Sequence, residues 1–338
     1  MALATPPAPY LHGGNRVSRV MGLVLLALLP GLVGAVALLG WGVLVNVAVA
    51  AIAALTVEAA LLHVRGYPVR HFLGDGSAVL MGVLLGLCLP PLLPAWIVVV
   101  GVAFGLTFGK HVYGGLGSNP FNPAMVGYAA LLLAFPQAMV LWPAPEAAPG
   151  LLESARIALA GVGPDALALD GFTGATPLDH LRAARGDGAS LEALRGGPAF
   201  GAIGAARWEW IGLLFGAGGA WLLWKRVIRW QIPVGVLAGL ALPAAVAFAL
   251  DPAHHLPPHF QLLAGGAMLG AFFIATDPVS APSPPWGRLL FGLGIGVLAW
   301  SIRTWGGYPD GIAFAVLLMN ATVPLLERFT RPRTRGRP

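Results

Sequence analysis

The chain has 338 residues, 57% of them hydrophobic and only 10% charged, with a mean hydropathy of +0.78. That is too little polar surface to cover a soluble globule of this size, so a water-soluble fold is excluded and an all-α polytopic membrane protein is expected. The net charge of +6 is dispersed over segment ends and gathers only at the C-terminus, which is the signature of membrane topology and not of nucleic-acid binding.

The first stretch, Met1 to Gly14, is rich in proline and carries no Lys or Arg. It does not resemble a cleaved signal peptide, so the first apolar run is expected to stay as an anchor. Apolar segments able to cross about 30 Å of hydrocarbon are predicted at 20–39, 41–63, 76–93, 95–108 and 123–141. A second set follows at 210–224, 232–250, 260–276, 289–301 and 312–326. This gives about ten spans, with nine as the rival count. Pro30, Pro136 and Pro243 are placed to kink or break their segments. The one cysteine, Cys88, lies in an apolar run and reads as a packing residue. It excludes an internal disulfide or a cysteine-ligated cluster held by this chain alone.

Lys and Arg fix the expected orientation. Arg16, Arg19, Arg65, Arg70, Lys110, Lys225, Arg226, Arg229, Arg288 and the five arginines from Arg328 to Arg337 fall on one side by parity, whereas 90–94 and 251–259 contain none. Arg303 alone breaks the rule. Both termini are therefore expected in the cytoplasm of a bacterial inner membrane, and the long interval outside it. The predicted organisation is a cytoplasmic segment 1–19, a membrane half 20–142, an extracytoplasmic loop 143–207, a second membrane half 208–327 and a basic tail 328–338.

Five spans before the loop is an odd number, so related halves must run with inverted topology. The third span reads Gly76-Ser77-Ala78-Val79-Leu80-Met81-Gly82, then Leu89-Pro90-Pro91; the eighth reads Gly265-Gly266-Ala267-Met268-Leu269-Gly270, then Thr276-Asp277-Pro278. Both open on glycine and end on proline. Such interrupted helices line the pathway in inverted-repeat transporters, although small residues equally permit close helix packing.

Several residues invite a functional reading along the way. Glu58, ionisable within the second span, is an ion-path candidate; near the span's end it could instead pair with His63 and Arg65. Asp75 and Asp277, at ends of the glycine-opened spans, could accept a cation or orient a flavin, capping being the commoner role. The segment Phe108 to Pro123 is too glycine-rich for helix and is expected to fold as a tight or re-entrant element. Arg303 to Gly311 occupies the mirrored place in the other half. His254, His255 and His259 are interrupted by Leu256-Pro257-Pro258 and read as a solvated loop, with no metal site expected. Tryptophans 41, 96, 142, 208, 210, 224, 230 and 300 sit at predicted span ends, where indole prefers the interface.

The long loop carries Asp170-Gly171-Phe172-Thr173-Gly174-Ala175-Thr176-Pro177-Leu178-Asp179. Gly and Ala before Thr176 and a proline after it bias this threonine toward extended backbone with an exposed hydroxyl. An ordinary loop with an Asx turn has the same composition. The pattern nevertheless resembles the acceptor motif of flavin transferases, which join FMN through its phosphate to the final threonine.

With this motif, Tyr113 to Met125, Met268 to Val279 and Gly306 to Leu318 together resemble the D-type membrane protein family of Rnf ion-translocating electron transport complexes. Its sister family is the B-type membrane component of the sodium-translocating NADH:quinone reductase. The resemblance implies a ten-span, two-repeat flavoprotein of urea-channel-like plan. FMN would be esterified to Thr176, with Asp170, Gly171, Thr173, Gly174 and Ala175 recognised by a periplasmic flavin transferase. It also implies a second, non-covalent riboflavin and partner subunits carrying iron–sulfur centres, another flavin and ferredoxin- and NAD-reactive sites, the whole moving sodium or protons. Phe172 and Thr173, where serine is common, are the departures. The competing expectations are a cofactor-free solute channel or permease on the same scaffold, and a purely structural assembly subunit.

Overall fold

The computed structural model describes residues 17–144, 148–160, 173–186, 194, 196–308 and 310–330. Asp170, Gly171 and Phe172 of the loop motif, most of the N-terminal segment and the end of the basic tail lie outside the described residues. The first half comprises α1 (Val17–Leu39), α2 (Gly42–Val64), α3 (Val69–Leu73), α4 (Ser77–Cys88), α5 (Ala95–Leu106) and α6 (Pro123–Ala134). The loop contributes α7 (Leu151–Ala160) and α8 (Pro177–Gly186). The second half comprises α9 (Trp208–Trp224), α10 (Gln231–Leu250), α11 (Pro258–Leu263), α12 (Ala267–Leu269), α13 (Pro285–Trp305) and α14 (Ile312–Thr330). Wider π-turns continue α5 over Thr107–His111 and α12 over Gly270–Ile274.

Among the described residues α1, α2, α10, α13 and α14 are long and apolar enough to cross a membrane. The remaining predicted spans are shorter, and each is short for a reason. The third stops at Cys88 because Leu89 to Pro94 leave the helix for a buried, irregular stretch that turns at Pro91-Leu92. There the Asn46 amide donates to the Pro90 carbonyl at 2.7 Å, and Gly42 admits the Pro91 backbone where a Cβ would collide. Irregular backbone at this depth is tolerable because it is packed in protein and not in lipid. The fifth ends at Ala134, before Pro136, and not at 141 as predicted. Pro30 and Pro243, by contrast, sit inside unbroken helices. The eighth is interrupted between α11 and α12, where Gly265 takes φ +55°. Its counterpart Gly76, at φ +79°, starts α4. Left-handed backbone of this kind costs glycine little and other residues much.

The same pairings recur in both halves: α2 packs on α4 and α5, and α10 on α11 and α13, while α5 pairs with α6 and α13 with α14. The halves interlock where α1 lies along α9. Gly31 and Gly34 accept Phe215 and Leu214, and Gly218 rests against the Ala27 carbonyl. Asn122, the N-cap of α6, binds the Ala124 and Met125 amides (3.0 and 3.2 Å) and also donates to the Ile274 carbonyl of the other half (3.2 Å). Asn320 accepts from the Asn122 amide and donates to the Ser280 carbonyl.

A second, smaller core fixes the loop. Leu178 and Leu181 of α8 pack with Ala199, Ala205, Phe260 and Ala264. This seats α8 directly over the break between α11 and α12.

Candidate functional site

Beneath α8 a cavity of about 390 Å³ enters between the two halves. Its wall is mainly apolar and aromatic, with Trp142, Trp208, Tyr128 and Tyr308, and its polar groups include Thr176, Asp179, Arg182 and Asp310. Trp142 and Trp208 meet edge to face at 5.1 Å. Their sequence positions predict the lipid interface for both, and they also wall this cavity, whereas Trp41, Trp96, Trp210, Trp224 and Trp230 are exposed on the surface. Cys88 lines the cavity too, half-buried at the end of α4. A concave, aromatic chamber with few convergent polar groups is the usual form of a small-molecule site.

Thr176 stands at this cavity as the N-cap of α8. Its Oγ1 accepts from the Asp179 amide at 3.2 Å and donates to the Asp179 carboxylate, while its carbonyl takes the His180 amide at 2.8 Å. The expected freely exposed hydroxyl is thus corrected to a half-buried one already engaged. Threonine, proline at the first helical position and an acidic residue two further on make a helix start, which competed with the loop reading and won. Upstream, Thr173 bridges to Pro143, the Gly174 amide donates to the Trp142 carbonyl at 2.9 Å, and Ala175 is exposed. The Asp179 carboxyl is pushed above the usual carboxylate range by burial, against the lowering effect of the Thr176 hydrogen bonds and of Arg182.

The far wall is built on Arg303, the cation that broke the charge rule. It is buried and donates to the Gln261 and Ala264 carbonyls at 2.6 and 3.0 Å, closing the carbonyls freed where α11 ends. It also pairs with Asp310 at 3.1 Å. The other Asp310 oxygen receives the Gly266 amide at 2.7 Å, and a Cβ on Gly265 would strike it.

The opposite ends of α1 and α4 carry a second cavity, of about 130 Å³, lined by Ser77, Lys110, Asn119, Asn122, Thr276 and Asp277 among others. Asp277 accepts from the Val279 amide and the Ser280 hydroxyl, and Asp75 accepts from the Ser77 amide, all local turn bonds. Behind this cavity Glu58 is buried. It pairs with Lys110 at 2.7 Å and His111 at 2.9 Å, and Lys110 also reaches the Ser77 hydroxyl at 2.9 Å. Arg65 donates to His111 Nδ1 at 3.1 Å; a guanidinium cannot accept, so Nδ1 is the acceptor and Nε2 carries the hydrogen toward Glu58. Pairing of Glu58 with its own-helix neighbours is therefore corrected: its partners come from the π-turn of α5, His63 is exposed, and Arg65 acts through His111. Nothing in the sequence separation, 52 residues for Lys110, announced the pair. Farther off, His254 pairs with Asp251 at 2.8 Å in the 251–259 loop.

Fold and cavity together define a class: a polytopic helical membrane protein of two interlocked halves with an aromatic cavity at their junction, under a capped threonine. The chain belongs to the NQR2, RnfD, RnfE family, whose model matches residues 4–336. It is 48% identical over 338 residues to the D-type component of the ion-translocating oxidoreductase complex of Alcanivorax borkumensis, covering 99% of this chain and 97% of that one. It is 49% identical to the protein of the same name from Pseudomonas aeruginosa (99% and 96% covered) and 45% identical to that from Escherichia fergusonii (99% of each).

Proposed function

We propose that this chain is the D-type membrane component of an ion-translocating oxidoreductase complex, and that FMN is joined through its phosphate to Thr176. The observation that carries the reading is a coincidence of two independent features: the last threonine of a flavin-acceptor pattern is also the threonine at an aromatic chamber of about 390 Å³. The residues suit the group. Trp142, Trp208, Tyr128 and Tyr308 offer faces and edges to a planar ring, and the first turn of the ten-residue α8 presents amide hydrogens and a positive dipole end to a phosphodiester. The flavin would supply reversible one- and two-electron transfer. The chain's part is to hold it at the junction of the halves, exclude lipid, and set polar groups around it.

In this reading the loop faces outward, where an exported flavin transferase meets it, and the termini face the cytoplasm of a bacterial inner membrane. Partner subunits supply iron–sulfur and further flavin centres, and electron flow drives sodium or proton movement. A non-covalent riboflavin is a second flavin of this membrane component.

The test is mass spectrometry of the peptide containing Thr176, from cells that express the transferase. An added FMN mass that disappears in Thr176→Val supports the reading; an unmodified wild-type peptide overturns it. A channel reading has one observation in its favour, since the two cavities end on neighbouring residues, Met125 and Ile274 on one side and Ala124 and Phe273 on the other. Colourless protein purified from the same cells would favour it.

A further inference from the structure

An ordinary serine or threonine hydroxyl is a poor nucleophile until a neighbouring base takes its proton. Thr176 has such a neighbour. Its hydroxyl donates to Asp179 Oδ2 across one turn, the backbone amide of Asp179 holds the same oxygen from the other side, and both groups line the mouth of the cavity. No other described side chain bonds to that hydroxyl, so its hydrogen has a single direction. We propose that Asp179 is the chain's own proton acceptor for attachment of the flavin phosphate, orienting the Thr176 hydroxyl and taking its hydrogen as the ester forms. This rests on the reading that Thr176 is flavinylated.

The chemistry balances without a redox partner. A hydroxyl and a simple phosphate do not condense in water, so the donor must be a flavin nucleotide activated as a phosphoanhydride. Thr176 Oγ1 forms the new O–P bond, the anhydride P–O bond breaks, and its electron pair leaves on the nucleoside monophosphate. The hydroxyl proton passes to Asp179 Oδ2 and then to water. Burial raises the basicity of this carboxylate, which moves it toward the range useful for a base near neutral pH. The charged and titratable groups around it are Arg182 on the same helix, Asp310 from the turn before α14, and Tyr128 and Cys88 across the cavity. Arg303 offsets the charge of Asp310. After transfer Thr176 Oγ1 has no hydrogen to give. The cap bond from the Asp179 amide survives and the side-chain bond does not.

The experiment uses the full chain, made without a transferase and held in lipid nanodiscs, with purified flavin transferase and FAD. Addition of FMN mass is followed in time across pH, for wild type, Asp179→Asn and Asp179→Glu. Asparagine keeps an oxygen for the Thr176 hydroxyl but accepts no proton. The expected result is a rate lower by about 10²-fold, loss of the acidic limb of the pH profile, and recovery in Asp179→Glu. Pro177→Gly loosens the start of α8 without touching the carboxylate. If it slows transfer as much as Asp179→Asn does, with the same change in pH profile, the role is only capping and the proposal falls. Equal rates and profiles for Asp179→Asn and wild type overturn it as well, leaving the flavin reading intact. A wild-type chain that gains no FMN mass overturns both.

Discussion

Two buried charge clusters occupy matching places in the two halves and differ in what they leave open. In each, a cation at the C-terminal end of a span reaches a helix terminus of the interrupted or glycine-opened segment beside it. Lys110, at the end of α5, meets Ser77 at the start of α4; Arg303, at the end of α13, meets Ala264 where α11 breaks. Lys110 is answered by a carboxylate from a third helix, Glu58, and the side chains of both are nearly sealed, at 4% and 3% exposure. Arg303 is sealed as well, at 1%, but its carboxylate, Asp310, is 24% exposed and lines the chamber under Thr176. The first cluster keeps its carboxylate sealed behind the smaller cavity, which Lys110 and Ser77 line. The second keeps irregular backbone in place at the wall of a cavity, which is where membrane proteins tolerate it.

The largest expected effect comes from breaking the sealed cluster. Lys110→Ala leaves Glu58 buried with only His111 beside it, and should cost about 3–5 kcal/mol. Thermal unfolding in detergent would show this, and Glu58→Gln in the same chain should return part of it; full tolerance of Lys110→Ala would mean water reaches Glu58. Arg303→Ala should cost about 2–4 kcal/mol, because it frees two carbonyls as well as a carboxylate. Unlike Lys110→Ala, this variant should also widen access to the chamber, read as faster alkylation of Cys88. Between the halves, Gly218→Val drives a side chain into the Ala27 carbonyl and should cost about 1–3 kcal/mol by overpacking, loosening both clusters equally. Asn122→Ala removes the α6 cap and the link to Ile274, for about 1 kcal/mol. The smallest effect belongs to the 251–259 loop, remote from either cluster. The hydrogen bond from His254 holds the Asp251 carboxyl below its usual value of 3.8. Its contribution is present above pH 3.8 and is lost as pH falls through the lower folded-state value. His254→Ala should erase that acid step, lowering the thermal midpoint slightly at neutral pH and leaving it unchanged below the folded-state value.

Much of the fold was legible because lipid allows few solutions: a backbone crossing hydrocarbon must satisfy itself as helix, so apolar runs became helices near their predicted limits. Two of the misses share a cause. Residues 89–94 and 135–141 are as apolar as a span, but proline removes donors there, and hydropathy does not register a missing hydrogen bond. Thr176 was found through its motif. Its engaged hydroxyl was missed because Pro177 was weighed for the residue before it and not for the helix it begins. That Trp142 and Trp208 wall a cavity was not legible, because a span end and a cavity rim occupy the same sequence position.

The sequence alone determined that the chain lives in a membrane, roughly where it crosses, that its halves, if related, must be inverted, and which threonine bears the flavin-acceptor pattern. These are local or additive properties, readable from residue type and spacing. Only the tertiary structure decided which buried charges meet. Glu58 finds Lys110, and Arg303 finds the end of α11, across other spans, and the energy of a buried charge depends on a partner within a few ångströms of space, whatever its distance along the chain.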